Sequence, residues 1–149
     1  MHVLQVEPKI KVDFVATGLV SLAFSHVLDH GNSSRMAHQA AECAGRQSPL
    51  AFWQMHDLLF ERQAQLWNTV PDLLTGWAEE LGLDGTAFAS CLEDPVITEQ
   101  VATIDQERRT QGIRIRPSFV INERLVEGAI PYERFVQLFA DFGVERTTE

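Results

Sequence analysis

Gly112-Ile113-Arg114-Ile115-Arg116-Pro117-Ser118-Phe119-Val120-Ile121-Asn122 is the stretch that decides the fold. Here the hydrophobic pattern changes period. Upstream, Asp94-Pro95 opens a helical run that reaches Gln111, and Gly112 stops it. Downstream, Ser118–Asn122 and Leu125–Glu127 read as two short strands around a tight Asn122-Glu123 turn, a hairpin signal. Gly128 breaks the second strand. Pro131 then starts a last helix through Phe142, with Tyr132, Phe135, Leu138 and Phe139 on the inward face. The chain therefore closes on a ββα unit.

Working backward, the punctuation is helical. Asp84 caps a short helix to Leu92, and Thr69-Val70-Pro71-Asp72 starts a helix through Leu81 that Gly82 ends. Ser48-Pro49 opens another, with Phe52, Met55, Leu59 and Gln63 on one face. In HGNSS at 30–34, Asn32 or Ser33 is expected to cap an Ala-rich helix over Met36–Gly45, closed by Gly45. Leu19–Val27 is β-branched and aromatic, bounded by Gly18, and predicts a strand at about 19–25. For the first residues two readings are open: a short strand at Val3, Leu4 and Val6, or a helix. The face of Ile10, Phe14 and Val15 favours helix over 8–16. The order is helix, strand, several helices, hairpin, helix, which is α/β. A single domain over 1–149 is expected, with a helical insertion at about 32–111.

Composition excludes several classes. Of 149 residues, 45% are hydrophobic and 22% charged, a globular balance. Twelve Lys and Arg against 21 Asp and Glu leave a net charge of −9, which repels phosphate backbones and argues against nucleic acid. There is no run long and apolar enough for a membrane span. The start at Met1-His2 does not read as a signal peptide. The two cysteines, Cys43 and Cys91, stand far apart, so there is no CxxC and no four-thiolate zinc site. No P-loop, GxGxxG or nucleophile elbow is present, and no cofactor is implied.

In this order, the segments are similar to those of the DsbA-like branch of the thioredoxin superfamily. Phe14-Val15-Ala16-Thr17-Gly18-Leu19-Val20 resembles the family's first helix running into a strand. Ala40-Ala41-Glu42-Cys43-Ala44, Phe52–Phe60, Leu81-Gly82-Leu83-Asp84, Phe88 and Cys91-Leu92 resemble its helical insertion. Gly112–Arg114 with Pro117–Asn122 resembles its cis-proline loop. Val126–Ala129 with Pro131, Tyr132 and Phe135 resembles its last strand and helix. The resemblance implies a thiol–disulfide oxidoreductase by descent, extracytoplasmic as its members usually are. It also implies a chain lacking the N-terminal strand and the CxxC, hence no catalytic cysteine pair. That chemistry needs a low-pKa thiolate at a helix N-terminus and a resolving thiol.

The resemblance further implies a cis Arg116–Pro117 bond beside a groove for extended peptide, with Arg116, Pro117 and Ser118 as its loop. The bulky Arg116 departs from the family's small or β-branched residue. Its alternatives are a solvated arginine or a cation that holds an acidic peptide. The cysteines are either two buried, unrelated thiols or, as the resemblance implies, a structural disulfide. The five histidines read as satisfied or solvent-facing rather than as metal ligands. His26 and His30 fall at a strand end and a loop, and His56 and Asp57 are expected to point apart. Trp53, Trp67 and Trp77, with Phe52 and Phe60, read as helix-packing aromatics. The cluster Arg108, Arg109, Arg114 and Arg116 reads as a solvated helix end, or as a basic rim. Three functions compete: an oxidoreductase relative inactive without its motif, a peptide-binding module, and a homodimer that completes its sheet by strand exchange.

Overall fold

The computed structural model describes residues 2–146. The elements are α1 (His2–Gln5), α2 (Glu7–Ile10), a π-helical turn (Lys11–Val15), α3 (Gly31–Gln47), α4 (Pro49–Glu61), a 3-10 segment (Gln63–Asn68), α5 (Pro71–Glu80), α6 (Gly85–Leu92), α7 (Pro95–Thr110), β1 (Ser118–Ile121), β2 (Arg124–Glu127) and α8 (Tyr132–Asp141). The chain divides into two compact units, residues 25–111 and residues 1–24 with 112–149.

The 25–111 unit is helical. Proline at the first turn starts α4, α5 and α7, where its missing N–H costs nothing. Asp84 caps α6 by accepting from Ala87 N–H at 2.9 Å, and Asp94 caps α7 by accepting from Val96 N–H at 2.9 Å. The core holds Met55, Leu74, Trp77, Phe88 and Ile97 around the alanine face of α3, Ala40, Ala41 and Ala44. Small side chains on α3 let its neighbours approach. Gly45, expected to stop the helix, lies inside it. A Cβ there would meet the Phe52 Cβ at 3.3 Å, so the glycine admits the start of α4. The expected caps Asn32 and Ser33 are also displaced, because α3 begins at Gly31 with His30 as N-cap and no side-chain cap bond.

The other unit packs α8 on the N-terminal helical turns and on the hairpin. Its core is Ile10, Phe14, Phe135 and Phe139, with Phe119 and Ile121 of β1 against it. Phe14 meets Phe139 edge-on at 4.8 Å, and Phe119 meets Phe135 edge-on at 4.8 Å. The Tyr132 hydroxyl donates to Asp13, tying α8 to the π-helical turn. β1 and β2 are antiparallel, with Phe119 opposite Val126 and Ile121 opposite Arg124. Asn122 takes a φ of 54° in the two-residue turn, a conformation asparagine tolerates better than most residues.

At the N-terminal side one open reading is decided and one expectation fails. Residues 2–5 are helical, so Val3–Val6 is not a strand. The strand expected at 19–25 does not form either: residues 20–29 join no ladder. A strand is defined by its neighbour. Leu19 and Val20 N–H instead donate back to Phe14 C=O at 2.9 and 3.0 Å, closing the turn after Val15. Among the described residues no helix is long and apolar enough to cross a membrane.

Candidate functional site: the β1 edge and its loop

The helix-to-strand loop sets the site. Gly112 adopts a φ of 86°, which ends the chain's path along α7. Ile113 is buried, while Arg114, Ile115 and Arg116 are exposed. The Arg116–Pro117 peptide bond is cis. The Ser118 hydroxyl donates to Ile115 C=O at 2.6 Å, folding the loop on itself.

The ladder decides which backbone groups face outward. Gly128 N–H donates to Pro117 C=O at 2.8 Å. In an antiparallel pair the rungs alternate, so Pro117, Phe119 and Ile121 bond toward β2. The N–H and C=O of Ser118 and Val120 then point to the opposite edge, which no other strand pairs among the described residues. Side chains divide likewise. Phe119 and Ile121 turn into the core, while Val120 and its partner Leu125 lie on the outer face, 57% and 42% exposed. The edge therefore offers backbone hydrogen bonds, apolar surface and, at its loop end, two guanidinium groups.

The cysteines lie in the other unit. Cys43 of α3 and Cys91 of α6 form a disulfide with a Cα–Cα distance of 5.7 Å. Neither is at a helix N-terminus, and no third cysteine exists to resolve a mixed disulfide. The bond borders a cleft of about 590 Å³ lined by Arg46, Gln47, Ser90 and Asp94 among others.

One cluster was not legible as a unit in the sequence. His26 is buried, and its Nδ1 lies 2.9 Å from His38 Nδ1 while its Nε2 lies 2.7 Å from Glu42 Oε1. Gln100 donates to the other Glu42 oxygen at 3.0 Å, and Gln39 donates to Thr98 at 2.6 Å. Two imidazole nitrogens facing each other can share only one proton. Burial pushes His38 down to about 4, and the facing His26 adds to the shift; Asp29 and Asp105 oppose it. Glu42 is held low by its hydrogen bond from His26. Nearby, Asp105 accepts from Leu28 N–H at 2.7 Å, and Arg109 donates to Asp105 and to Leu28 C=O. These side chains serve the extended residues in place of a ladder. Arg109 thus departs from the expected solvated helix end. Two more corrections belong here. His56 Nδ1 and Asp57 Oδ1, expected to diverge, are 2.9 Å apart. Trp67 does not pack inward: it is 63% exposed on the 3-10 segment, edge-on to His30.

A family model described as thioredoxin matches residues 2–141. The chain belongs to the thioredoxin family. Within it, the chain is DsbA-like. Disulfide bond formation protein D of Bacillus subtilis (strain 168) is 29% identical over 130 residues, 85% of this chain and 58% of that protein. The solved structure of oxidised BdbD from Bacillus subtilis superposes with a TM-score of 0.81 at 25% identity, covering 92% of this chain and 76% of that one. Na(+)/H(+) antiporter NhaA 1 of Salinispora arenicola (strain CNS-205) is 35% identical over 100 residues, 67% of this chain and 15% of the antiporter. The chain thus spans less than two thirds of the length of these curated relatives. This thioredoxin-family fold is mostly helical, with a small two-stranded sheet.

Proposed function

We propose that this DsbA-like chain binds extended polypeptide along the free edge of β1 and does not itself turn over disulfides. The observation that carries the reading is the outward row of Ser118 and Val120 backbone groups beside the Arg116-Pro117 loop. An added strand satisfies such groups and gains main-chain hydrogen bonds for affinity. Redox turnover needs an activated thiolate and a resolving partner. The only cysteines of the sequence are bound to each other in the helical unit.

The test is a titration with an extended, cysteine-containing peptide, alongside an insulin-reduction assay. Binding without insulin reduction is expected, and it should survive Cys43→Ser with Cys91→Ser. Insulin reduction that the double serine variant abolishes would overturn the reading. A second copy of the chain is the other occupant the exposed Val120–Leu125 face favours, by strand exchange. Sedimentation at rising concentration separates the two, since a peptide-binding monomer stays monomeric.

A further inference from the structure

We propose that Cys91 is a thiol-exchange site: a small external thiolate attacks its sulfur through the bordering cleft and opens the bond to Cys43, which is the leaving group. The inference stands apart from the peptide-binding reading, because it lies wholly within residues 25–111 and concerns the only cysteines of the sequence.

The two sulfurs differ in access. Cys43 lies within α3, is 1% exposed, and belongs to the core that includes Ala40, Ala44 and Met55. Cys91, on the last turn of α6, is only half-buried. The cleft of about 590 Å³ beside the bond has room for a small thiol. Its charged lining is Arg46 and Asp94, joined at 2.8 Å, with Glu93. That lining does not draw in an anion, so attack depends on access rather than on charge. Exchange proceeds at the sulfur that a thiolate can reach, and here that is Cys91.

The chemistry balances with the external thiol as reductant. Its sulfur bonds Cys91 Sγ, the bond to Cys43 breaks, and the electron pair leaves on Cys43 Sγ, which takes a proton from solvent. A second external thiolate attacks the external sulfur of the mixed disulfide and frees Cys91. The protein disulfide is reduced by two electrons, and two external thiols are oxidised to one disulfide. No third cysteine can complete that second step. Without the bond, α3 still holds both ends of α6. Arg46 pairs with Asp94 just beyond it, and Gln47 bonds the N–H and C=O of Asp84 at its start. Cys43 therefore stays beside Cys91 and expels a monothiol before a second one arrives. A dithiol carries its second thiolate with it and opens the tie fully.

The test starts with the wild-type protein in native buffer. Dithiothreitol should reduce the bond at a rate that rises linearly with its concentration and exceeds the global unfolding rate. A rate that levels off at the unfolding rate would overturn attack on the folded protein. Single-cysteine variants then assign the sulfur. Cys43→Ala leaves Cys91 and Cys91→Ala leaves Cys43; each is treated with oxidised 2-mercaptoethanol and followed by mass spectrometry. Cys91 should form the mixed disulfide about 10-fold or more faster than Cys43. Equal rates, or a faster Cys43, would remove the assignment to Cys91. The wild type gives the same assignment without a substitution. Acid quenching during treatment with 2-mercaptoethanol traps the mixed disulfide, and digestion should locate it on Cys91. An adduct on Cys43 instead would overturn the proposal even where a variant fails to fold.

Discussion

Residues 25–111 satisfy most of their backbone inside helices, and in the extended stretch before α3 the α7 side chains Asp105 and Arg109 bond the Leu28 N–H and C=O. Residues 2–24 and 112–146 contain one ladder among the described residues, the β1–β2 hairpin. The helical unit also has a covalent tie, while the hairpin unit relies on a four-phenylalanine cluster. The contrast teaches where each can be broken. Helices carry their hydrogen bonds with them, so their weak points are packing and cross-links. A two-stranded sheet is marginal alone and depends on the helix beneath it.

The largest effect is expected at Phe14, fully buried and edge-on to Phe139. Phe14→Ala should cost about 3–5 kcal/mol, because the ring's burial is lost and a cavity remains. Hydrogen exchange should show amide protection falling further in β1 and β2 than in α3 and α4. Equal loss in all four elements would break the comparison.

Next comes the cross-link of the helical unit. Cys43 and Cys91 close a loop with a sequence separation of 48, so the bond restricts the unfolded chain by about 4 kcal/mol on the loop-entropy model. Cys43→Ser with Cys91→Ser should lower stability by about 2–4 kcal/mol in denaturant titrations, with the loss concentrated in α3 and α6 amides. A stability unchanged by the double substitution, or by reductant, would remove the covalent half of the contrast.

The polar network sharpens the comparison through pH. His38 titrates near 6.5 when unfolded but at about 4 when folded. Between those values the unfolded chain takes up a proton that the folded chain refuses. Stability should therefore fall as pH drops from about 6.5 to about 4, by up to about 3 kcal/mol, and this contribution should level off below. Glu42 acts in a lower window. Its folded pKa lies below the ordinary 4.5, so its stabilisation is present above that value and is lost as pH falls through the folded one. Denaturant titrations across pH should show that His38→Asn flattens the upper window and leaves the lower loss. An unchanged slope between pH 6.5 and 4 would detach the network from stability.

Local punctuation explains what the sequence could reveal. Pro49, Pro71 and Pro95 at helix starts, Gly82 and Gly112 after helix ends, and the Asn122-Glu123 turn each act within a few residues, so their meaning is local. Gly45 looked the same as those glycines, but its reason is Phe52 on the next helix, which only packing reveals. The 19–25 strand pattern is genuine as composition, yet a strand needs a neighbour, and none forms among the described residues. At the candidate site, the loop residues Arg116, Pro117 and Ser118 were visible as a motif. The outward direction of Ser118 and Val120 came only with the hairpin register. His38 and Glu42 stand four apart on one face of α3, but His26 and Gln100 reach them only through tertiary packing, which no sequence spacing marks.

The smallest effect tests that locality at the helix starts. Asp84 and Ser48 both precede helices, but only the carboxylate bonds the turn it precedes. Asp84 Oδ1 accepts from Ala87 N–H, whereas the Ser48 side chain makes no cap bond before α4. The carboxylate also meets the positive end of the helix dipole. Asp84→Ala should therefore cost about 1 kcal/mol, and Ser48→Ala no more than a few tenths. Gln47 complicates the reading, because its side chain accepts from Asp84 N–H at 2.9 Å and donates to Asp84 C=O at 3.0 Å. Both of those bonds use the Asp84 backbone, so Asp84→Ala keeps them and isolates the carboxylate. Asp84→Asn retains the acceptor without the charge and should recover most of the loss. Should Ser48→Ala cost as much as Asp84→Ala in the same denaturant titration, the side-chain bond would not be what distinguishes the two helix starts.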